Sequence, residues 1–226
     1  MAKYSLYINS DCSLIIEFEE EISLELSRFI LGAKLAIEKA SLEGFVEAVP
    51  AYNSLLLIFE PKAFQVERLL QETKELLDKT KSLAPSQSTR HDIPVCYHES
   101  LAPDLAYVAN HAGIPTEELI KLHSQAEYPV YMLGFLPGFL YLGNLNKALH
   151  CPRRENPRPR VDAGSVAIGG DQTGVYPIAS PGGWHIIGKT PISMLDSSRQ
   201  NPAIAKPLDT IIFKPISLEE FNQYDH

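Results

Sequence analysis

Residues 153–160, Arg153-Arg154-Glu155-Asn156-Pro157-Arg158-Pro159-Arg160, hold four of the chain's eight arginines. Proline forbids regular helix here and stiffens the segment, which lowers the entropic cost of presenting guanidinium groups. Guanidinium forks bind carboxylate or phosphate in a bidentate manner. Three readings stay open: a solvated loop of surface ion pairs, an anion-binding loop with Arg158 and Arg160 as substrate contacts, and a nucleic-acid contact of small footprint.

A second group of candidates follows in residues 169–177 and 180–185. The paired glycines 169–170 and 182–183 allow close approach of backbone to a ligand. Gln172 offers both a donor and an acceptor, and Tyr176 an apolar ring with a polar tip. Trp184 reads as core or as a ligand platform. His185 is the candidate general acid–base because its ordinary pKa lies near neutrality; a structural histidine in a strand is the competing reading. We expect Arg158, Arg160, Gln172, Tyr176 and His185 to converge on one concave site at a barrel mouth.

Residues 183–190, GWHIIGKT, match the phosphate-loop expression G-x-x-x-x-G-K-[ST]. A working phosphate loop needs small residues, so that consecutive backbone N–H groups wrap the phosphates before a helix begins. Trp, His and two Ile at the variable positions are too bulky and β-prone for that wrap, and Pro191 follows. The segment reads as a barrel strand ending in a turn. Residues 134–143, GFLPGFLYLG, form an apolar, glycine-punctuated turn that is either a packed loop or a hydrophobic surface for a partner or substrate. Histidines 91, 98, 111, 123, 150 and 226 show no metal-ligand spacing, and no metal site is expected.

These residues need elements to hold them. Ten of the 13 glycines fall between Gly134 and Gly188, so the early chain reads as regular elements and the later part as turn-rich β structure. Residues 13–18, 44–49 and 54–59 read as strands, and residues 22–39 and 65–79 carry helical apolar spacing. Residues 93–97 complete a β-α-β-β-α-β order, that of a ferredoxin-like α+β sandwich. A polar connector, residues 81–92, precedes that strand, and short helices follow it at 103–111 and 116–125, the second capped by Thr116 with Glu117 and Glu118 in its first turn. Residues 128–133, 164–168, 174–178, 185–189 and 210–214 read as strands of a closed or nearly closed β-barrel. The expected fold class is α+β: a small ferredoxin-like domain, residues 1–90, followed by a β-barrel domain, residues 91–226.

The net charge of −8 over 226 residues argues against a nucleic-acid binder. The sign is the same in both halves, since residues 1–90 and 91–226 each carry 10 basic and 14 acidic groups. Three scattered cysteines, no secretory h-region and no apolar run long enough to span a bilayer lead us to expect a cytoplasmic protein without membrane partners.

Taken together, YMLGFLPGFLYLG, CPRRENPRPRVDAGSVAIGGDQTGVYP and SPGGWHIIGKTP resemble the 5-oxoprolinase B-subunit family, also called allophanate hydrolase subunit 1 or KipI-type proteins. SLIIEFEEEIS and GFVEAVPAYNSLLLIFEP resemble its opening and PDLAYVANHAGIPTEELIKLH its middle, so the resemblance spans nearly the whole chain. Lys189 departs from the family pattern, which usually has arginine there; His98-Glu99 departs where a glycine pair is expected. The resemblance implies a cyclophilin-like barrel after the α+β domain. It also implies ATP-dependent opening of 5-oxo-L-proline to L-glutamate with partner subunits A and C, with ATP used at the level of the complex and this chain inactive alone. In that reading Arg158 and Arg160 bind anionic groups, Gln172 and Tyr176 position the lactam, and His185 serves the attacking water. Two alternatives accompany it: a KipI-type inhibitor of a sensor histidine kinase, and a component of a urea-related carboxyltransferase-like hydrolase.

Overall fold

The computed structural model describes residues 2–84 and 88–224. Pro85, Ser86 and Gln87 of the polar connector, and His226, lie outside the described residues. The chain divides into two compact units, Met1–Gln87 and Ser88–His226.

In the first unit, β1 (Tyr4–Ser10) and β2 (Ser13–Phe18) form a hairpin. Then follow α1 (Leu24–Ala40), β3 (Phe45–Pro50), β4 (Ser54–Phe59) and α2 (Val66–Lys79). The four-stranded sheet has the order β1-β2-β4-β3 and is antiparallel throughout. Alternation sends Leu14, Ile16, Phe18, Leu55, Leu57 and Phe59 to one face. There they meet Leu26, Phe29, Ile30, Ala33 and Ile37 of α1 and Leu69 and Leu77 of α2. Ser23 caps α1 by accepting from the Leu26 N–H at 3.2 Å. The expected sandwich is present with one change of strand. The place beside β2 belongs to β1, not to residues 93–97. Ser10 pairs with Ser13 across a tight turn, so this hairpin closes locally.

Residues 93–97 instead fall largely within β5 (Arg90–Cys96), the first strand of the second unit. Ile93 and Val95 are buried in the barrel core there. Next come α3 (Leu105–Ala112), α4 (Thr116–Ser124), β6 (Tyr128–Leu133) and β7 (Leu140–Leu142). They are followed by β8 (Arg158–Val161), β9 (Ser165–Gly169), β10 (Gln172–Val175), β11 (Ser180–Gly182), β12 (His185–Lys189), β13 (Thr210–Ile216) and α5 (Leu218–Gln223). Seven of these strands close a barrel in the order β10-β7-β6-β13-β5-β12-β9. Its one parallel pair is β5 with β13, from Arg90 beside Thr210 to Cys96 beside Ile216. β8 and β11 pair with each other outside the barrel. Thr116 is not the cap of α4 but its first helical residue. Pro115 holds the cap position, where its fixed φ of −64° suits a helix entry and no side chain is available to accept.

Valine and isoleucine at alternate positions, such as Val166 and Ile168 of β9, fill the barrel with Tyr128, Val130, Leu140, Leu142, Ile211 and Phe213. The intervening side chains, Ala167 of β9 and Ile186 of β12, face outward and carry a second, smaller apolar layer.

Candidate functional site

That outer layer builds a cleft. Trp184 packs with Ala167, Ile186, Phe139 and Tyr176, and only glycine leaves room for its indole on β9 and β10. A Cβ at Gly169 would overlap the indole, and one at Gly174 would press on both Trp184 and Phe139. Phe139 meets the rings of Tyr176 and Trp184 edge-on, with centroids 5.5 and 5.6 Å away. The Tyr176 hydroxyl lies against Gly182, where a Cβ would collide with it, and accepts a hydrogen bond from the Trp184 backbone N–H. Burial nevertheless raises the Tyr176 pKa above the ordinary tyrosine value. Phe135, Phe139, Tyr141, Arg153, Arg154, Pro157, Tyr176 and Trp184 border a space of about 300 Å³. The Arg153 guanidinium stands 5.8 Å from the Trp184 ring centre, within cation–π range. The apolar turn at residues 134–143 thus does two things: Phe139 is buried, while Phe135, with φ of 66°, remains exposed at the cleft rim.

Behind the arginines sits a carboxylate that the sequence did not single out. Asp104, just before α3, is 5% exposed. It accepts two parallel hydrogen bonds from Arg158, each 2.8 Å, one from Arg154 at 3.2 Å and one from the Ile186 N–H at 2.7 Å. Burial alone would raise its pKa, but the Arg158 and Ile186 hydrogen bonds and the Arg158 and Arg154 charges prevail and hold it below the usual value.

The sequence candidates are distributed as follows. Tyr176 lines the cleft. Arg158 is turned toward Asp104, one step behind the cleft wall that Arg154 supplies. Arg160 is exposed and paired with Asp162 at 3.1 Å, away from the cleft. Gln172 pairs with Gly169 across the β9–β10 hairpin and therefore shares the face on which Trp184 rests, without bordering the cleft. His185 points to the opposite face of β12 from Trp184 and Ile186, because side chains alternate along a strand. It stacks on Tyr107 of α3, with centroids 4.7 Å apart, and donates from Nε2 to the Pro152 carbonyl at 2.9 Å. Its Nδ1 is therefore the unprotonated nitrogen, buried without a hydrogen-bond partner. Burial chiefly lowers its pKa, so it is neutral near pH 7. The five candidates do not converge on one mouth: strand alternation turns His185 away, and local pairing with Asp162 holds Arg160 outside.

Residues 183–190 are not a phosphate loop. His185–Lys189 is a barrel strand, Lys189 pairs with Ser165 and Cys96, and turns rather than a helix come directly after it. Among the described residues no group of three metal-ligating side chains gathers, and no helix is long and apolar enough to cross a membrane.

Comparison with known proteins agrees with this architecture. Residues 4–205 match the model of the carboxyltransferase domain, subdomains C and D. The chain is 38% identical to the 5-oxoprolinase B subunit of Escherichia coli O157:H7, over 95% of this chain and 97% of that protein. It is 36% identical to TTHA0988 of known structure, with a TM-score of 0.76 over 91% of this chain but only 40% of the longer one. Urea carboxylase from Kluyveromyces lactis, at 20% identity and a TM-score of 0.84, shares the fold over 98% of this chain, which spans 22% of that protein. The chain belongs to the 5-oxoprolinase B-subunit family of carboxyltransferase subdomain C and D proteins.

Proposed function

We propose that this chain serves as the B subunit of an ATP-dependent 5-oxoprolinase, working in the cytoplasm with subunits A and C, and that its aromatic–arginine cleft receives the substrate. One observation carries the reading: in a member of this family, a space of about 300 Å³ is walled by aromatic rings and bordered by Arg153 and Arg154. That volume stands at the lower end of the usual range for small-molecule sites, about 300–1,000 Å³. A five-membered lactam acid presents apolar ring carbons suited to Trp184 and Phe139. Its carboxylate suits a guanidinium fork, and the Tyr176 hydroxyl offers a polar contact for the ring amide.

Ring opening adds water across the lactam C–N bond, giving the second carboxylate and the free amine of glutamate. Amide resonance makes the carbonyl carbon a poor electrophile, and phosphorylation of its oxygen by ATP would activate it. In the complex ADP leaves first. Water then attacks the carbon and the ring nitrogen departs as the amine, leaving an acyl phosphate, which a second water hydrolyses to the new carboxylate and free phosphate. The chain's share in this scheme is binding and orientation; the geometry of His185 supports a structural place for it beside the Asp104 cluster.

Reconstitution tests the reading. The chain mixed with candidate subunits A and C should form glutamate from 5-oxoproline only when ATP and all three chains are present. Arg154→Ala should raise KM for 5-oxoproline by roughly tenfold or more, as expected for losing a charge-assisted hydrogen bond. Glutamate formation at the same rate without this chain would overturn the proposal.

A further inference from the structure

We infer that Asp104 is a positioning residue: it never meets the substrate, but it aims the arginine that does. The inference rests on the reading that the cleft binds a carboxylated lactam. Its structural part stands on the following geometry. Asp104 is nearly inaccessible and does not border the cleft. Its backbone N–H donates to the Ile186 carbonyl at 2.9 Å, and its Oδ2 accepts from the Ile186 N–H at 2.7 Å, so the residue is clipped to β12 at both ends. The Ile186 side chain lies in the same outer layer as Trp184, so the clip references the carboxylate to the aromatic floor of the cleft.

From that fixed point two arginines radiate. Arg158 is gripped in a fork by both oxygens at 2.8 Å, and Arg154 shares Oδ1 at 3.2 Å. Arg154 is the one that also borders the cleft. Its backbone is held separately, because its N–H donates to the Gly183 carbonyl at 2.8 Å. Two guanidinium groups this close repel each other, and arginine side chains are entropically costly to order. A single carboxylate between them offsets the repulsion and leaves this three-residue cluster with one net positive charge. An incoming carboxylate then meets a guanidinium already ordered, so less of its binding energy is spent on immobilising the side chain.

Asp104→Asn is the informative variant. The amide oxygen still accepts from the Ile186 N–H and the helix entry is kept, while the charge that holds both arginines is lost. In the reconstituted complex it should raise KM for 5-oxoproline about tenfold while kcat changes less than about twofold, the split expected for lost uniform binding. Added to Arg154→Ala it should cost nothing further, because the route through Arg154 is already cut. A second readout needs no substrate. In the 15N-labelled chain, the Nε–Hε signals of Arg154 and Arg158 should show slowed guanidinium rotation in the wild type and fast rotation in Asp104→Asn. Full additivity with Arg154→Ala, or unchanged guanidinium signals, would overturn the inference. A wild-type complex that turns over no 5-oxoproline while the Nε–Hε signals respond as expected would overturn the lactam reading and leave the positioning intact.

Discussion

Among the described residues, the first unit buries only the hydroxyl side chains Ser13, Ser27 and Thr73, whereas the barrel unit buries hydroxyls and, besides them, the ionisable Asp104, His123, His185 and Asp209. A hydroxyl carries no charge, so hiding it costs little: the Ser23 carbonyl satisfies Ser27, and Thr73 Oγ1 is buried without a partner. An ionisable group cannot be hidden without dedicated partners or a forced protonation state. The difference locates where the molecule departs from simple apolar packing. The sheet and helices of the first unit are held by hydrocarbon, and the barrel is threaded by polar clusters with assigned donors and acceptors.

His123 of α4 shows how complete such a cluster is. Thr173 Oγ1 donates to the Ala167 carbonyl at 3.0 Å and so accepts from His123 Nε2 at 2.9 Å. That leaves Nδ1 as the acceptor of the Tyr97 hydroxyl at 2.7 Å. The ring also stacks on Phe213 with centroids 4.6 Å apart. Every polar atom is matched only if the imidazole is neutral. Burial accordingly lowers its pKa from 6.5 to about 3.

The largest expected effect follows from this contrast. Below pH 6.5 the unfolded chain protonates His123 while the folded barrel does not, so the unfolded state binds the extra proton and stability falls with pH. The contribution is complete above pH 6.5 and is lost progressively down to about pH 3. The loss is roughly 1.4 kcal/mol per pH unit, or about 4–5 kcal/mol across the window. Trp184, the chain's single tryptophan, reports on the barrel alone. Denaturation followed by its fluorescence should show the midpoint dropping between pH 6.5 and 4. Amide exchange in β2 and β4 should change much less over the same range. Parallel losses in the two units would break the comparison.

Asp104→Ala should have the next largest effect, again on the barrel. Removing the carboxylate strands the Arg158 and Arg154 charges and an Ile186 N–H. Breaking a buried ion pair costs about 3–5 kcal/mol, and the partial exposure of both arginines reduces this to about 2–3 kcal/mol. Its pH signature differs from that of His123. A carboxylate whose pKa is depressed stabilises above its unfolded value, here 3.8, and that contribution is lost only as pH falls through the lower folded value. Denaturation of wild type and variant at pH 7 and at pH 3 should therefore show the gap narrowing in acid. A constant gap would mean that the carboxylate's charge is not what stabilises the cluster.

How much of this was legible in the sequence depends on how far apart the partners lie. The strand at residues 13–18 and the helices near residues 22–39 and 65–79 were visible because their periodicity is local. β1 was not, since YSLYINS mixes polar residues on both faces and none of its side chains is fully buried. β8 and β11 carry proline and little periodicity, and they become strands by pairing with each other, Arg158 opposite Gly182. Strand 93–97 was visible as a strand but not as a barrel member, because which sheet a strand joins is a tertiary outcome. Residues of the arginine segment and the apolar turn, together with Tyr176, do line the cleft described above. Asp104 lies 54 residues from Arg158, and His123 lies 50 from Thr173, so neither cluster leaves a local pattern to read.

Arg160→Ala supplies the smallest effect and the sharpest control on the arginine segment. Arg158 and Arg160 are two residues apart in the same strand, yet their surroundings differ. The Arg158 side chain is 26% exposed and held in a fork by a buried carboxylate, while Arg160 is 74% exposed and meets the 60% exposed Asp162 through one Nε contact. A solvent-exposed pair of this kind contributes between about zero and 1 kcal/mol, because water screens the attraction and two mobile side chains must be ordered to make it. Arg160 also borders none of the cleft. Its alanine variant should therefore leave the Trp184-monitored midpoint and the KM for 5-oxoproline close to wild type, each within about twofold or 0.5 kcal/mol. Arg158→Ala, by contrast, should disturb both, since it releases Asp104 from its principal partner. A rise in KM for Arg160→Ala as large as that for Arg154→Ala would place the substrate carboxylate at the outer end of the segment. Asp104 would then be holding the wrong arginines for the role inferred above.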